Sequence, residues 1–229
     1  LKLCGIGESN ACEIIKDLML SSQNPTIAPY AGNNEVRFRV TASGKTKEEA
    51  KELLKPTVEK LYNIFNEYIY GEDEQTLQGA VVDKLIKNNM TISTAESCTG
   101  GLLASNIIDV PSASKVFLNG VISYSNESKV YELNVWKEDL EKYGAVSEQV
   151  AIQMAEGIRE KSNTTIGIST TGIAGPTGET EDKPVGLVYI AISIKGKETV
   201  CKKLMLQGDR LKIREKTVNI CFSNLLKLI

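Results

Sequence analysis

The stretch Met90-Thr-Ile-Ser-Thr-Ala-Glu-Ser-Cys-Thr-Gly-Gly101 predicts a strand, a turn and the start of a helix within twelve residues. Residues 90–95 are mainly apolar and β-branched, as in a short buried strand. A carboxylate, a hydroxyl, a thiol and a second hydroxyl follow, and then two glycines. We expect a helix over residues 99–108. A strand that leads into a helix through a short turn is a building unit of α/β domains.

The alternation of helices and strands continues to the end of the chain. The patterns predict helices over 76–88, 126–133, 147–161 and from Asp209 onward, and strands over 115–125 and 164–172. Two further apolar segments, 186–196 and 198–206, predict a hairpin around Lys195-Gly196-Lys197. Hairpin strands are antiparallel, so residues 73–229 are predicted to form a three-layer α/β/α domain with a mixed sheet.

Residues 1–72 have a different pattern, which predicts a small two-layer α+β domain. A helical segment over 13–20 precedes an extended pair that includes 35–42, and an amphipathic helix follows over 45–68. Pro56 is expected to kink or divide that helix, because proline removes a backbone donor. The RNA-binding KH fold is one such unit, but Gly32-Asn-Asn-Glu35 lacks the second glycine of its GxxG loop. We therefore expect a structural domain and no nucleic-acid ligand.

The composition narrows the class of protein. The net charge of −2 does not favour a nucleic-acid or anionic-membrane partner, and no apolar run reaches the roughly 20 residues of a membrane span. Five cysteines without a CxxC pair predict reduced thiols and a cytoplasmic protein. The chain begins with Leu1 rather than methionine, and we expect it to be a piece of a longer protein.

The chain contains no histidine, which restricts the possible chemistry. Ser-His-Asp and Cys-His catalysis are excluded, as is any metal site that requires imidazole. A catalytic base would have to be lysine, a carboxylate, tyrosine or water. We expect no metal and no cofactor.

Two stretches carry candidate catalytic groups. Ser97 or Cys98 follows the strand as in a nucleophile elbow, although the GxSxG sequence is absent, and the N–H groups of Thr99 and Gly100 could hold an oxyanion. In Tyr124-Ser-Asn-Glu-Ser-Lys129, Ser125 is expected to cap a helix that has the lysine near its first turn. The helix end and burial would both favour a neutral amine there, as a base requires. The alternatives are a polar helix cap and a solvated surface lysine.

Two further stretches are candidates for ligand binding. Thr170-Thr-Gly-Ile-Ala-Gly-Pro-Thr-Gly178 ends a strand at the edge where α/β sheets bind ligands, and it includes Thr171 and Gly175. In Gly208-Asp-Arg210, the aspartate is expected to cap the last helix, and Arg210 is well placed for a phosphate. A flexible turn and a surface arginine are the alternatives.

Taken together and in this order, these motifs resemble one family. "TAESCTGG", "SYSNESK", "KYGAVSEQV", "GIAGPTG…KPVG" and "GDR" closely resemble the C-terminal domain of the CinA family over residues 74–229, and residues 1–72 resemble its middle, KH-like domain. The resemblance implies hydrolysis of nicotinamide mononucleotide to nicotinate mononucleotide and ammonia, in pyridine-nucleotide recycling. It also implies a Ser97/Lys129 mechanism, a site completed by Tyr124, Thr171 and Arg210, and a homodimer. Longer members carry an additional N-terminal domain.

Two rival hypotheses stay open at this point. One makes Cys98 the nucleophile, supported by Glu96 and a lysine; side chains of adjacent residues usually point apart, so only one of Ser97 and Cys98 can face the site. The other treats the chain as a non-catalytic nucleotide-binding or competence-related interaction module. In the first scheme Glu96 acts chemically; otherwise we expect it to position Lys129 or the turn.

Overall fold

A computed structural model describes residues 1–32 and 35–229 of the chain. The protein has two compact units, Leu1–Ala80 and Val81–Ile229. Asn33 and Asn34, at the centre of the predicted Gly32–Glu35 loop, lie outside the described residues. None of the helices in the described ranges is both long enough and apolar enough to span a membrane.

The first unit is an antiparallel sheet covered by helices. Its elements are β1 (Lys2–Cys4), α1 (Glu8–Ile14), α2 (Lys16–Ser21), β2 (Thr26–Ala31), β3 (Glu35–Thr41), α3 (Lys47–Phe65) and β4 (Ile69–Gly71). The strand order is β2-β3-β1-β4. One core lies between sheet and helices, where the rings of Phe38 and Phe65 stack with centroids 5.4 Å apart. The predicted two-layer α+β fold is confirmed, with four strands where the sequence predicted an extended pair.

Helix α3 is not divided at Pro56. Its buried residues Thr57, Leu61 and Phe65 follow one another at helical spacing on the side of the core. Thr46 caps the helix by accepting a hydrogen bond from the Glu49 N–H. Burial of one continuous stripe of residues therefore keeps the helix in one piece despite the missing proline N–H. Of the two predicted effects of Pro56, a kink or a division, the division does not occur.

The second unit contains the larger sheet. Its elements are the end of α4 (Leu77–Lys87), then β5 (Ile92–Glu96), α5 (Leu102–Ile108), a short 3₁₀ helix (Ala113–Lys115), β6 (Phe117–Ile122), α6 (Asn126–Leu133), α7 (Lys137–Tyr143), α8 (Glu148–Lys161), β7 (Ile166–Gly172), β8 (Leu187–Ile194), β9 (Val200–Met205) and α9 (Arg210–Leu228). The strand order is β6-β5-β7-β8-β9. Strand β5, the second in this order, is parallel to both of its neighbours, and β8 is antiparallel to β7 and β9. The predicted mixed sheet with a terminal hairpin is confirmed.

Helices cover both faces of this sheet. Ala95 of β5 packs in an apolar cluster with residues of α6, α7 and α8, among them Leu133, Leu140 and Met154. The next residue, Glu96, points to the other face and contacts the start of α5. Helix α9 packs against α5 and β8. This arrangement confirms the three-layer fold.

The local predictions differ from the structure at a few boundaries. Helix α5 begins at Leu102 rather than at residue 99, because the two glycines before it adopt left-handed conformations. Strand β6 ends at Ile122, so Tyr124 lies in a loop. Helix α7 was not predicted at all, since its sequence, KEDLEKY, is almost entirely polar.

Candidate active site

The site begins with the turn between β5 and α5, residues 97–101, which we call the nucleophile turn. The Ser97 N–H continues the sheet by donating to the Thr170 carbonyl at 2.9 Å. The Gly100 N–H donates back to the Ser97 carbonyl at 3.1 Å and closes the turn. Gly100 and Gly101 have φ values of +57° and +90°, which only glycine adopts at little cost. Ser97 is partly exposed at this bend.

Glu96 holds the start of α5. Its carboxylate accepts hydrogen bonds from the N–H groups of Gly101, Leu103 and Ala104 at 3.0, 3.0 and 2.8 Å. The side chain is 1% exposed. Because no side chain at the Gly101 cap bonds to the helix, this internal carboxylate satisfies the N–H groups that a helix start leaves open. Glu96 therefore has the structural role that the sequence favoured, at the turn rather than at Lys129.

Lys129 lies against Ser97. Ser125 caps α6 by accepting a hydrogen bond from the Ser128 N–H, as predicted, and this places Lys129 in the first turns of the helix. The lysine is 1% exposed. Its Nζ lies 3.3 Å from Ser97 Oγ, 2.8 Å from the Ser123 carbonyl and 3.4 Å from the Tyr124 carbonyl. The alternative of a solvated surface lysine is therefore wrong.

These contacts suit a neutral amine. A neutral amine can donate its two hydrogens to the carbonyls of Ser123 and Tyr124 and direct its lone pair at the Ser97 hydroxyl. Burial lowers the pKa of Lys129, and a weaker contribution from Cys98 opposes this change. Within residues 1–32 and 35–229, no carboxylate forms an ion pair with Lys129. The pair can therefore transfer a proton from Ser97 to Lys129.

Cys98, the other candidate nucleophile, is buried in the same turn. Its thiol is 5% exposed and has a hydrogen bond with Thr170, and burial raises its pKa to about 12. A thiol with so high a pKa is almost entirely protonated at neutral pH, whereas the thiolate is the nucleophile. The environment of Cys98 is that of a buried structural cysteine.

The two predicted threonines are both buried, and their hydroxyls bond within the protein. Thr171 Oγ1 donates to the Ala145 carbonyl at 2.7 Å, and Thr99 Oγ1 lies 2.6 Å from Thr170 Oγ1. The Gly100 N–H is used inside the turn. The backbone N–H of Thr99 has no backbone acceptor among the residues that the structure describes. It is thus the better placed of the two predicted oxyanion donors, and that role stays a prediction.

Arg210 joins the loops that follow β6 and β7. Its Nη1 donates to the Gly175 carbonyl at 2.7 Å and its Nη2 to the Tyr124 hydroxyl at 3.1 Å. Asp209 caps α9, as predicted, by accepting a hydrogen bond from the Lys212 N–H. Tyr124 is 64% exposed and Arg210 is exposed too. Three of the predicted residues, distant in sequence, therefore meet at one edge of the sheet.

Two residues near the site were missed by the sequence analysis. Arg214, one turn after Arg210 on α9, donates from Nε and Nη2 to the Thr99 carbonyl at 3.2 and 2.7 Å. Ser123 accepts from Lys129 through its carbonyl, while its own buried hydroxyl has no hydrogen-bond partner within the described part of the chain. Neither residue could have been found from a pattern, because one contact spans 115 positions and the other involves a backbone atom.

Together, these features define an α/β protein with a buried lysine beside a serine at a strand–turn–helix junction. A model of the CinA C-terminal domain matches residues 74–229, and a model of the damage-inducible protein CinA KH domain matches residues 1–71. The chain belongs to the CinA family.

Relatives and solved structures agree with this assignment. A CinA-like protein of Dictyoglomus thermophilum is 53% identical over 214 residues, which cover 93% of this chain and 52% of that protein. The chain thus spans about half the length of the curated relatives that it matches.

The solved structures align with most of the chain. The competence/damage inducible protein CihA of Agrobacterium tumefaciens aligns with a TM-score of 0.66 and 34% identity, over 70% of this chain and 98% of that one. A CinA superfamily protein of Escherichia coli aligns with a TM-score of 0.65 and 32% identity, over 70% and 95%.

Proposed function

We propose that this chain hydrolyses the carboxamide of nicotinamide mononucleotide to nicotinate mononucleotide and ammonia. Family membership supports an enzymatic role, and the resemblance of the motifs supports this substrate. The observation that carries the proposal is the contact of buried Lys129 with Ser97, 3.3 Å from Nζ to Oγ, in a chain without histidine.

In the first half of the reaction, Ser97 Oγ attacks the carboxamide carbon while Lys129 Nζ takes the hydroxyl proton. The Thr99 N–H is the expected donor to the oxyanion of the tetrahedral intermediate. Lys129 then returns the proton to the nitrogen, the C–N bond breaks and ammonia leaves. An ester of Ser97 remains.

In the second half, water attacks the ester carbon and gives its proton to Lys129. The bond between Ser97 Oγ and the acyl carbon breaks, and Lys129 returns the proton to the serine. The carboxylic acid so formed loses its proton to solvent water, nicotinate mononucleotide leaves as the carboxylate, and the site is restored. The same lysine therefore acts as base and acid in both halves.

Arg210 is the proposed ligand of the 5′-phosphate. Its guanidinium has five N–H donors, of which two are used by Gly175 and Tyr124. Within the described residues it forms no ion pair, so its charge is available for an anion. Because the Asp209 carboxylate caps α9, we assign the phosphate contact to the arginine side chain rather than to the helix start.

The test is ammonia release from nicotinamide mononucleotide by the wild type, Ser97→Ala and Cys98→Ala. The serine variant should be inactive while it stays folded, because loss of a nucleophile costs several orders of magnitude. The cysteine variant should keep most of the activity. The reverse pattern would transfer the nucleophile role to Cys98.

A wild type that binds the mononucleotide but releases no ammonia would support the non-catalytic module instead. The competence/damage name of the Agrobacterium protein is the observation in favour of that alternative. We further infer a cytoplasmic homodimer that takes this small molecule and no nucleic acid. The dimer rests on the family resemblance, and light scattering of the purified chain would test it.

A further inference from the structure

The backbone that follows the candidate nucleophile has little stiffness of its own. Gly100 and Gly101 are consecutive and both have positive φ. Glycine has more accessible backbone conformations than any other residue, so two in a row cost entropy to hold in one turn. The nucleophile turn therefore depends on contacts from outside it.

Two charged side chains supply those contacts, one from the end of β5 and one from α9. Glu96, which precedes the turn, binds the N–H of Gly101 at 3.0 Å. Arg214 of α9 binds the Thr99 carbonyl with two donors, at 3.2 and 2.7 Å. Since the Gly100 N–H bonds to the Ser97 carbonyl at 3.1 Å, the peptide group between Thr99 and Gly100 is held at both its oxygen and its nitrogen.

The positive charge of Arg214 is not neutralised by a carboxylate among the described residues. Its side chain is nonetheless partly buried. The acceptor it does have, the Thr99 carbonyl, also receives the Leu102 N–H at 3.2 Å. A guanidinium whose described acceptor is a carbonyl of this turn is well suited to fixing the geometry of the turn.

We propose that Arg214 is a positioning residue that holds the nucleophile turn in its reactive geometry. This inference rests on the proposed role of Ser97. By fixing the carbonyl of Thr99, Arg214 restricts the rotation that would turn the Thr99 N–H away from the oxyanion. It acts through the backbone and touches no reacting atom, so it should affect the rate of acylation rather than the affinity for substrate.

The test follows the reaction of Ser97 with an alkyl fluorophosphonate, by intact mass. In this reaction the Oγ–P bond forms, fluoride leaves and Lys129 takes the serine proton. Arg214→Ala should lower the limiting labelling rate about 10- to 150-fold, the value of a hydrogen bond to a charged group. The fluorophosphonate concentration that gives half the limiting rate should stay within about twofold of the wild-type value, since Arg214 does not contact the bound reagent.

Rescue separates positioning from a general loss of structure. Guanidinium ion, added below denaturing concentration, should restore part of the rate in Arg214→Ala. Arg214→Lys should retain an intermediate rate, because an ammonium keeps the charge but not the planar fork. Lys216→Ala is the matched control: Lys216 lies on the same helix and donates to the Gln207 carbonyl at 2.7 Å, away from the turn. Its labelling should equal that of the wild type and should not respond to guanidinium.

The proposal is overturned if folded Arg214→Ala or Arg214→Lys labels at the wild-type rate. It is also overturned if the labelling rate of Arg214→Ala falls only as far as its folded fraction, measured by thermal unfolding, and guanidinium does not restore it. A wild type whose Ser97 does not react at all contradicts both the nucleophile and its positioning. By contrast, a wild type that reacts with the fluorophosphonate but releases no ammonia from the mononucleotide contradicts the proposed substrate alone.

Discussion

Lys129 is buried without a carboxylate partner in the described structure, and that has consequences for both rate and stability. A buried ammonium is disfavoured, so burial lowers the pKa of the folded lysine below that of the unfolded chain. Because the neutral form is the base, kcat/KM should rise with pH through the lowered pKa and level off below pH 10.5, the ordinary value. Lys129→Arg should be almost inactive, since a guanidinium does not lose its proton.

The lowered pKa of Lys129 also determines how the stability of the protein depends on pH. Between the lowered folded pKa and the unfolded value of 10.5, the unfolded chain binds more protons, so the free energy of unfolding rises with pH. Lys129→Met removes the free-energy cost of burying an ammonium group. The variant should therefore be more stable than the wild type below the folded pKa, and its advantage should shrink as the pH approaches 10.5. Urea unfolding at several pH values measures it, and a constant difference would contradict the buried ammonium.

Ser123 offers a second test at the scale of one residue. Its hydroxyl is buried without a described partner, and an unsatisfied buried polar group costs about 1–3 kcal/mol. The Ser123 carbonyl, which accepts from Lys129, is unaffected by the side chain. Ser123→Ala should thus leave the free energy of unfolding unchanged or increase it.

The matched control for this variant is Ser93→Ala. Ser93 is equally buried, but its hydroxyl lies 2.7 Å from Thr164 Oγ1 and donates to the Ile158 carbonyl at 3.2 Å. Its removal should destabilise the protein by about 0.5–1.5 kcal/mol, the net value of a lost hydrogen bond, because Thr164 Oγ1 keeps its contact with the Ile166 carbonyl at 2.9 Å. The free energy of unfolding of both variants is measured by denaturant unfolding. If it falls equally in the two, the Ser123 hydroxyl has a hydrogen-bond partner in solution.

At the scale of elements, α9 contacts the three loops that follow β5, β6 and β7 at one edge of the sheet. Arg210 reaches the loops after β6 and β7, and Arg214, one helical turn later, reaches the turn after β5. One helix therefore links the candidate phosphate ligand and the candidate nucleophile. We therefore expect Arg210 to affect the preference for a phosphorylated substrate and Arg214 to affect the rate of acylation.

Arg210→Ala should weaken turnover of nicotinamide mononucleotide about 10- to 150-fold in kcat/KM, the value of one charge-assisted contact. Nicotinamide riboside has no phosphate, so its slower turnover should be almost unchanged. The measurement is the ratio of kcat/KM for the two substrates in wild type and variant. If both substrates slow equally, Arg210 acts on the chemistry or the fold, and the phosphate contact has to be sought in the 172–186 loop.

The elements with local signals could be predicted from the sequence, and those defined by distant contacts could not. The caps Ser125 and Asp209 and the order of strand, turn and helix around Ser97 are encoded in a few adjacent residues. Both caps and this order are as expected, although the helix begins three residues later than predicted. Strands β1 and β4 were missed because each has three residues, too few to show alternation. The contact of Arg214 with Thr99 depends on how α9 packs, which no local pattern specifies.

At the scale of the molecule, every candidate site residue lies in the second compact unit. Ser97, Lys129, Thr171 and Arg210 are contributed by β5, α6, β7 and α9 and their flanking turns. The first unit has a core of its own, built from residues such as Leu3, Phe38 and Leu61. The division falls within α4, between Ala80 and Val81, while the two family models meet between residues 71 and 74.

This division predicts that the second part of the chain works alone. The solved Agrobacterium chain aligns over 98% of its own length with 70% of this chain, a share close to that of residues 74–229, so a chain of about this size folds without the remainder. A fragment of residues 74–229 keeps the whole of α4, including the hydrogen bond from the Gly79 N–H to Thr76 Oγ1. We expect it to unfold in a single thermal transition and to release ammonia from nicotinamide mononucleotide with a kcat/KM within about twofold of the whole chain, because the groups proposed to stabilise the transition state are all retained. Ser97→Ala in the same fragment is the inactive control. A folded fragment that has lost activity would show that residues 1–73 contribute to the site.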